Sequence, residues 1–215
     1  MLDKAAYYVV LYLEAFLGIF GLRLYEEPPY TVLERLAGGV EIRSYAPRVA
    51  AEVELVETEG KTDSNTAFRL LFAYIAGANG TSGGEGARIA MTMPVEIKRD
   101  SERIAMTVPV VQAETGGAMR MQFFLPAGLT RETAPVPSDT RVRIVDVPEE
   151  TMAVLRFTGS RENEPVQAKH KELGAVLAGS RWTASGPPFA MFYDAPFTIP
   201  FLRRNEVAVA VRAAD

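Results

Sequence analysis

The chemistry open to this chain is bounded by one imidazole and no thiol. Among 215 residues there is a single histidine, His170, and no cysteine. Disulfides, thiolate metal sites and cysteine nucleophiles are therefore excluded, as is a zinc site built on several histidines. His170 lies between Lys169 and Lys171, on a segment whose apolar positions are Val166, Leu173 and Leu177. It reads either as a structural histidine against that stripe or as a metal ligand. No G-x-S-x-G stands near it to build a Ser-His-Asp triad. The second candidate is an aromatic pair. Phe68 and Phe72 are four residues apart, so on a helix they share a face. They widen that helix's apolar arc to about half the circumference, against the ~100° of an ordinary surface helix. Arg69 borders the added stripe. Such a face either packs beneath another segment or gives a flat apolar ligand a wall, with Arg69 available to a carboxylate.

Other motifs carry less. The loop NGTSGGEG, 79–86, is glycine-rich but lacks the GK[ST] ending of a phosphate loop, and a strand follows it. Asn79-Gly80-Thr81 forms a sequon of a length that arises by chance. Arg203, Arg204, Asn205 and Glu206 open the last strand, where they cap or bridge it. The methionines of IAMTMPV and IAMTVPV read as adaptable core filling.

These residues need elements to hold them, and the body from Tyr30 onward is strand-rich with two helices. Hydrophobic residues make 48% of the chain and charged residues 23%, so the body folds as a globule. The net charge of -4 gives no basic excess, and no nucleic-acid partner is expected. TVLERL, Gly38-Gly39 and VEIRSY read as a hairpin, and RVAAEVELVE as a strand. Residues 65–78 form the first helix, with Ala67, Leu70, Leu71, Tyr74 and Ile75 on one face. RIAMTMPVEI and ERIAMTVPVV pair through KRDS, and MRMQFFLP follows as a strand. RVRIVDV and TMAVLRFTG make a further hairpin across a PEE turn. Residues 164–178 form the second helix, and AMFYDAPF and NEVAVAVR the last two strands. A shift of 102 residues lays the second half on the first: Ile75-Ala76-Gly77 falls on Leu177-Ala178-Gly179, and Pro94 on Pro196. Each half reads as β-β-α-β-β, and the two must pack together to cover their sheet.

Residues 5–20, AAYYVVLYLEAFLGIF, differ from the rest. They are nearly all apolar, and Glu26, Glu27, Pro28 and Pro29 stop the run. The run reaches the ~20 residues of a membrane span only with Glu14 inside it. It reads as a hydrophobic helix that either packs on a protein surface or contacts a membrane through residues 3–24. The division expected is 1–29 as this helix and its linker, and 30–215 as the folded domain. The location expected is membrane-associated, or alternatively cytoplasmic.

Seven motifs now stand in order: EIRSY at 41–45, YIAGAN at 74–79, IAMTMPV at 89–95, FFLP at 123–126, PVPSD at 135–139, MFYDAPF at 191–197 and RRNEV at 203–207. Together they resemble the SOUL haem-binding protein family. The resemblance implies an α+β fold, a distorted eight-stranded antiparallel β-barrel with two flanking helices. It implies haem or another tetrapyrrole as a bound cofactor, and no catalytic chemistry. Family members place a histidine, as an axial iron ligand, inside the EIRxY motif; Ser44 stands there in this chain. Others offer basic residues to the propionates at positions matching Asn65, Ala73 and about Thr198. The candidate cofactor-binding set is therefore Phe68, Arg69, Phe72 and His170, with His170 the candidate axial ligand. The alternative is a gyrase-inhibitor-like effector or carrier module for a non-haem apolar molecule.

Overall fold

The computed structural model describes residues 19–22, 26–56, 64–80, 86–99, 118–195 and 197–214. In chain order the elements begin with β1 (Tyr30–Arg35), β2 (Val40–Tyr45), β3 (Arg48–Val56) and α1 (Ser64–Ile75). β4 (Asn79–Gly80), β5 (Val95–Arg99), β6 (Ala118–Phe124), β7 (Val136–Pro137), β8 (Val142–Val147) and β9 (Glu150–Phe157) follow. α2 (Asn163–Ala178), β10 (Trp182–Ala184), β11 (Phe189–Phe192) and β12 (Asn205–Ala213) complete the chain.

Among the described residues the main sheet has ten antiparallel strands in the order β1-β2-β9-β12-β11-β5-β6-β3-β8, with β10 on β12. It curls into a half-barrel. The distorted eight-stranded barrel expected from the resemblance takes the form of this half-barrel, which stays open along one side. The eight expected strands are there, running from β2 to β8. But β1, folded back through Gly38 and Gly39 at φ +66° and +76°, takes the outer edge of β2 that closure would need.

The hairpin expected between β8 and β9 does not form. β8 ladders with β3, while β9 ladders with β2 and β12. Only Pro148 and Glu149 separate β8 from β9, and a two-residue hairpin needs positive φ at its turn, which proline cannot adopt. Ala46 and Pro47 carry the chain from β2 to β3 in the same way. The order therefore reads alike from either end, β2-β9-β12-β11 against β8-β3-β6-β5, meeting at the β11–β5 ladder. β2 and β8 begin 102 positions apart, at Val40 and Val142, and so do β3 and β9, at Arg48 and Glu150. The comparison of Pro94 with Pro196 lies outside the described residues. So does the partner strand expected at 102–111, and residues 88–94 run as coil until β5 starts at Val95.

Alternation divides the sheet into two faces. One is apolar and carries the helices. Ala67, Leu71, Tyr74 and Ile75 of α1 pack with Ala51, Val53, Met119, Met121 and Phe123. Val166, Leu173 and Leu177 of α2 pack with Leu155, Val207 and Val209. The end of α1 is fastened by Asn79. Its Nδ2 donates to the Tyr74 and Ala87 carbonyls at 2.7 Å each, and its Oδ1 accepts from Ala87 N–H at 2.8 Å. Gly77 turns there at φ +117°, and a Cβ on Gly86 would run into the Gly77 carbonyl. The sequon asparagine is thus a buried structural residue.

The N-terminal helix expected over 3–24 falls almost wholly outside the described residues. Membrane association through it is corrected: no helix among the described residues is long and apolar enough to cross a membrane. The linker at 26–29 is also more than a stiff junction. Glu26 accepts from Met93 N–H through its carbonyl and from Ala127 N–H through its carboxylate, both at 2.9 Å. Glu27 grips Arg204 with both oxygens, at 3.1 and 2.9 Å.

Candidate functional site

The outer side of α1 is where the sequence placed an apolar wall. Phe68 and Phe72 stack there, their ring centroids 6.1 Å apart and their planes 13° from parallel. Phe68 also meets Phe123 of β6 edge-on at 5.4 Å, which ties the stripe to the core. Phe72 is 50% exposed. A half-bare phenylalanine is costly, since burying one is worth roughly 1.5–3 kcal/mol. Arg69 is exposed beside the pair, with Nη2 donating to Thr66 Oγ1 at 3.1 Å. Asn65 and Ala73 are exposed on the same helix and uncharged. Phe68, Arg69 and Phe72 are therefore brought together as one face.

His170 is not part of it. It sits on α2, which packs on β9, β10 and β12, whereas α1 packs on β3, β6 and β8. The ring is 4% exposed, and Nε2 lies 3.2 Å from the Phe189 carbonyl of β11. A porphyrin iron needs an open imidazole nitrogen, and this ring is inside the domain, engaged with backbone. The geometry is that of a structural histidine. His170→Ala should leave haem affinity within about twofold and cost roughly 1–3 kcal/mol of stability, the penalty of a buried carbonyl left without its donor. Urea unfolding and haem titration of the variant check both. Among the described residues no group of three or more His, Asp or Glu is placed to hold a metal ion.

The second face of the sheet holds what sequence reasoning missed. Glu206 of β12 is 0% exposed. Its Oε2 accepts from Arg43 Nη1 at 2.9 Å and from the Tyr193 hydroxyl at 2.7 Å, and its Oε1 from Arg204 Nε at 3.0 Å. The guanidinium of Arg204 lies 3.8 Å over the Tyr193 ring, and that of Arg43 lies 4.3 Å over Tyr30. Burial is the largest single influence and opposes the charge on both arginines, but Glu206 together with Tyr45 at Arg43, and with Tyr193 and Glu27 at Arg204, outweighs it and raises both above the usual range. Burial pushes the Tyr45 phenol up to about 12 and the Tyr193 phenol well above its ordinary value. The two arginines therefore stay charged and the two phenols neutral near neutrality, and the cluster forms a fixed lock that joins β2, β12 and the segment at Glu27. The sequence signal was present: in NEVAVAVR, Val207, Val209 and Val211 face the helices, so Glu206 must face the other side of a central strand.

Glu96 of β5 lies on that same face and is 1% exposed. Lys98 Nζ is 2.8 Å from its Oε1, while Oε2 has no hydrogen-bond partner among the described residues. Burial raises its pKa above the usual 4.5, against the pull of Lys98 and Arg48. The native state then binds a proton that the unfolded chain has released. This contribution to stability is fully present below pH 4.5 and is lost as pH rises through the raised value. Glu96→Gln should be at least as stable as the parent at pH 8, with an advantage that shrinks toward pH 4.5. Urea midpoints across that range check it; a gap constant with pH contradicts it.

The SOUL heme-binding protein family matches residues 25–210. Heme-binding protein 1 of Sus scrofa is 25% identical over 187 residues, covering 83% of this chain and 89% of its own length. Among solved structures, an uncharacterized conserved protein from Listeria innocua aligns with a TM-score of 0.58 at 13% identity, over 80% of this chain and 92% of its own. A hydrolase from Listeria innocua aligns with a TM-score of 0.57 at 12% identity, over 80% and 91%. The EcmrR C-terminal domain aligns with a TM-score of 0.56 at 9% identity, over 86% and 99%. At such identities these three show the fold alone. With the family matched across nearly all of the sheet and both helices, the chain belongs to the SOUL heme-binding protein family.

Proposed function

We propose that this protein binds a tetrapyrrole, haem in the first instance, on the outer face of α1, and does no chemistry on it. The observation that carries the reading is the stacked Phe68–Phe72 pair with Phe72 half exposed. A porphyrin is a flat apolar disc with carboxylates on one edge. The aromatic stripe suits the disc, and Arg69 beside it suits a propionate. The imidazole does not suit the iron, because His170 faces β11 from the other helix. Affinity then comes from buried porphyrin area, at roughly 25 cal/mol per Å² of apolar surface. A few hundred Å² gives several kcal/mol before the cost of association is subtracted. The reading is thus of moderate affinity and easy release, as suits a carrier or sensor. It takes the two halves as copies of one β-β-α-β-β unit, of which the first carries the ligand face.

A second reading, a carrier of some other flat apolar molecule, is favoured by uncharged Asn65 and Ala73 on the same helix. Titration of the purified protein with haem separates the two. A Soret shift that saturates at one equivalent supports tetrapyrrole binding. The absence of any shift overturns it.

A further inference from the structure

The connection from β11 to β12 carries the barest aromatic rings among the described residues. Phe197 is 58% and Phe201 71% exposed. The backbone that presents them is firmly held. Thr198, next to Phe197, is buried, and its carbonyl accepts from Arg203 Nε at 2.8 Å. Arg161 Nη2 donates to the carbonyls of Asp194 and Ala195. The Asp194 carboxylate accepts from Arg204 N–H at 2.6 Å. Pro200 opens a 3₁₀ turn over Pro200–Leu202, and its carbonyl accepts from Gly159 N–H at 2.9 Å and from Arg203 N–H at 3.2 Å. The two rings are thus held out into water by a fixed loop, and a partner would meet them without an ordering cost.

A second segment lies against this turn. Ile199 N–H donates to the Ile19 carbonyl at 3.1 Å. Gly21, at φ +70°, packs so closely that a Cβ would stand 2.8 Å from the Leu202 carbonyl. The contact joins Phe20 and Leu22, both exposed, to Leu202, exposed as well. At about 200 Å² for each large apolar residue, the bare fractions of the five come to roughly 500 Å². Monomers seldom expose more in one patch, and such patches mark interaction sites.

We propose that this patch is the interface of a homodimer, in which a second copy sets the same patch against it about a twofold axis. Two such patches would bury about 1,000 Å² in all, the floor for a specific protein interface. Affinity in the micromolar range is therefore expected. The rim suits a copy. The turn from β9 to α2, tied to Pro200 through Gly159, carries Arg161 beside exposed Glu162 and Glu164, so both signs are present and a copy is not met by like charge alone. Those acids, with a net charge of -4, suit an anionic lipid surface poorly. The patch shares no residue with the α1 face, so dimerisation and tetrapyrrole binding can fail separately.

Sedimentation equilibrium of the full chain, over a concentration series through the micromolar range, tests the proposal. A monomer–dimer equilibrium with no larger species is expected, because a twofold contact closes on itself. Phe197→Glu and Phe201→Glu, at exposed positions outside the core, should each weaken the dimer at least about tenfold and leave the urea midpoint in place. Phe72→Glu should leave the dimer within about twofold, and Phe201→Glu should do the same for haem affinity. A chain that stays monomeric overturns the inference, whether the patch then takes a lipid surface or residues 5–18 of the same chain. A dimer unmoved by both substitutions, or open-ended association, overturns it as well.

Discussion

Glu206→Ala should destabilise the domain by roughly 3–5 kcal/mol, the cost of removing one partner from a buried ion pair. Domains of this kind have only about 5–15 kcal/mol in total, so the variant should unfold well below its parent in urea or on heating. The size of the effect follows from what remains. Arg43 and Arg204 would each keep a buried guanidinium with its main counter-charge gone, and the Tyr193 hydroxyl would lose its acceptor at 2.7 Å. Glu206→Gln should cost less, because the amide oxygen still accepts from one donor. Arg204→Met should cost less again, since it removes a cation and leaves Glu206 paired with Arg43. A Glu206→Ala variant as stable as its parent would mean that the cluster relaxes into water, against its complete burial.

Phe72→Glu should lower haem affinity at least tenfold while leaving stability within about 1 kcal/mol. Phe72 is half exposed, so its loss barely disturbs the core. In the bound state, the same substitution removes contact with the exposed half of the ring, worth roughly 0.8–1.5 kcal/mol, and adds the cost of setting a charged carboxylate against the porphyrin disc. Each 1.4 kcal/mol is a factor of about ten. Arg69→Ala should have a smaller effect, since an exposed ion pair is worth about 0–1 kcal/mol. The order of loss, Phe72→Glu over Arg69→Ala over His170→Ala, is the signature of an apolar face. Iron ligation by imidazole would put His170→Ala first.

The helices were legible because their apolar positions repeat at helical spacing and glycine ends each of them. The two aromatic residues outside the core arc of α1 were legible for the same reason. The hairpin between β8 and β9 was misread because adjacency in sequence says nothing about which edge a strand will pair with. Pro148 was the clue, since a turn built on proline sends the chain elsewhere. The Glu206 lock was missed because charged residues near a strand start usually face water. Its partners, Arg43 and Glu27, are distant in sequence, and only the β2–β9–β12 order brings Arg43 and Glu206 to one face.

The location of the ligand is the claim most open to direct test, by NMR of the protein with zinc protoporphyrin IX, which is diamagnetic and keeps the porphyrin ring. Large ring-current shifts are expected along residues 64–75, greatest at Phe68 and Phe72, with His170 and the patch at Phe197 and Phe201 unmoved. Shifts centred on α2 or on that patch, with α1 silent, would contradict the account.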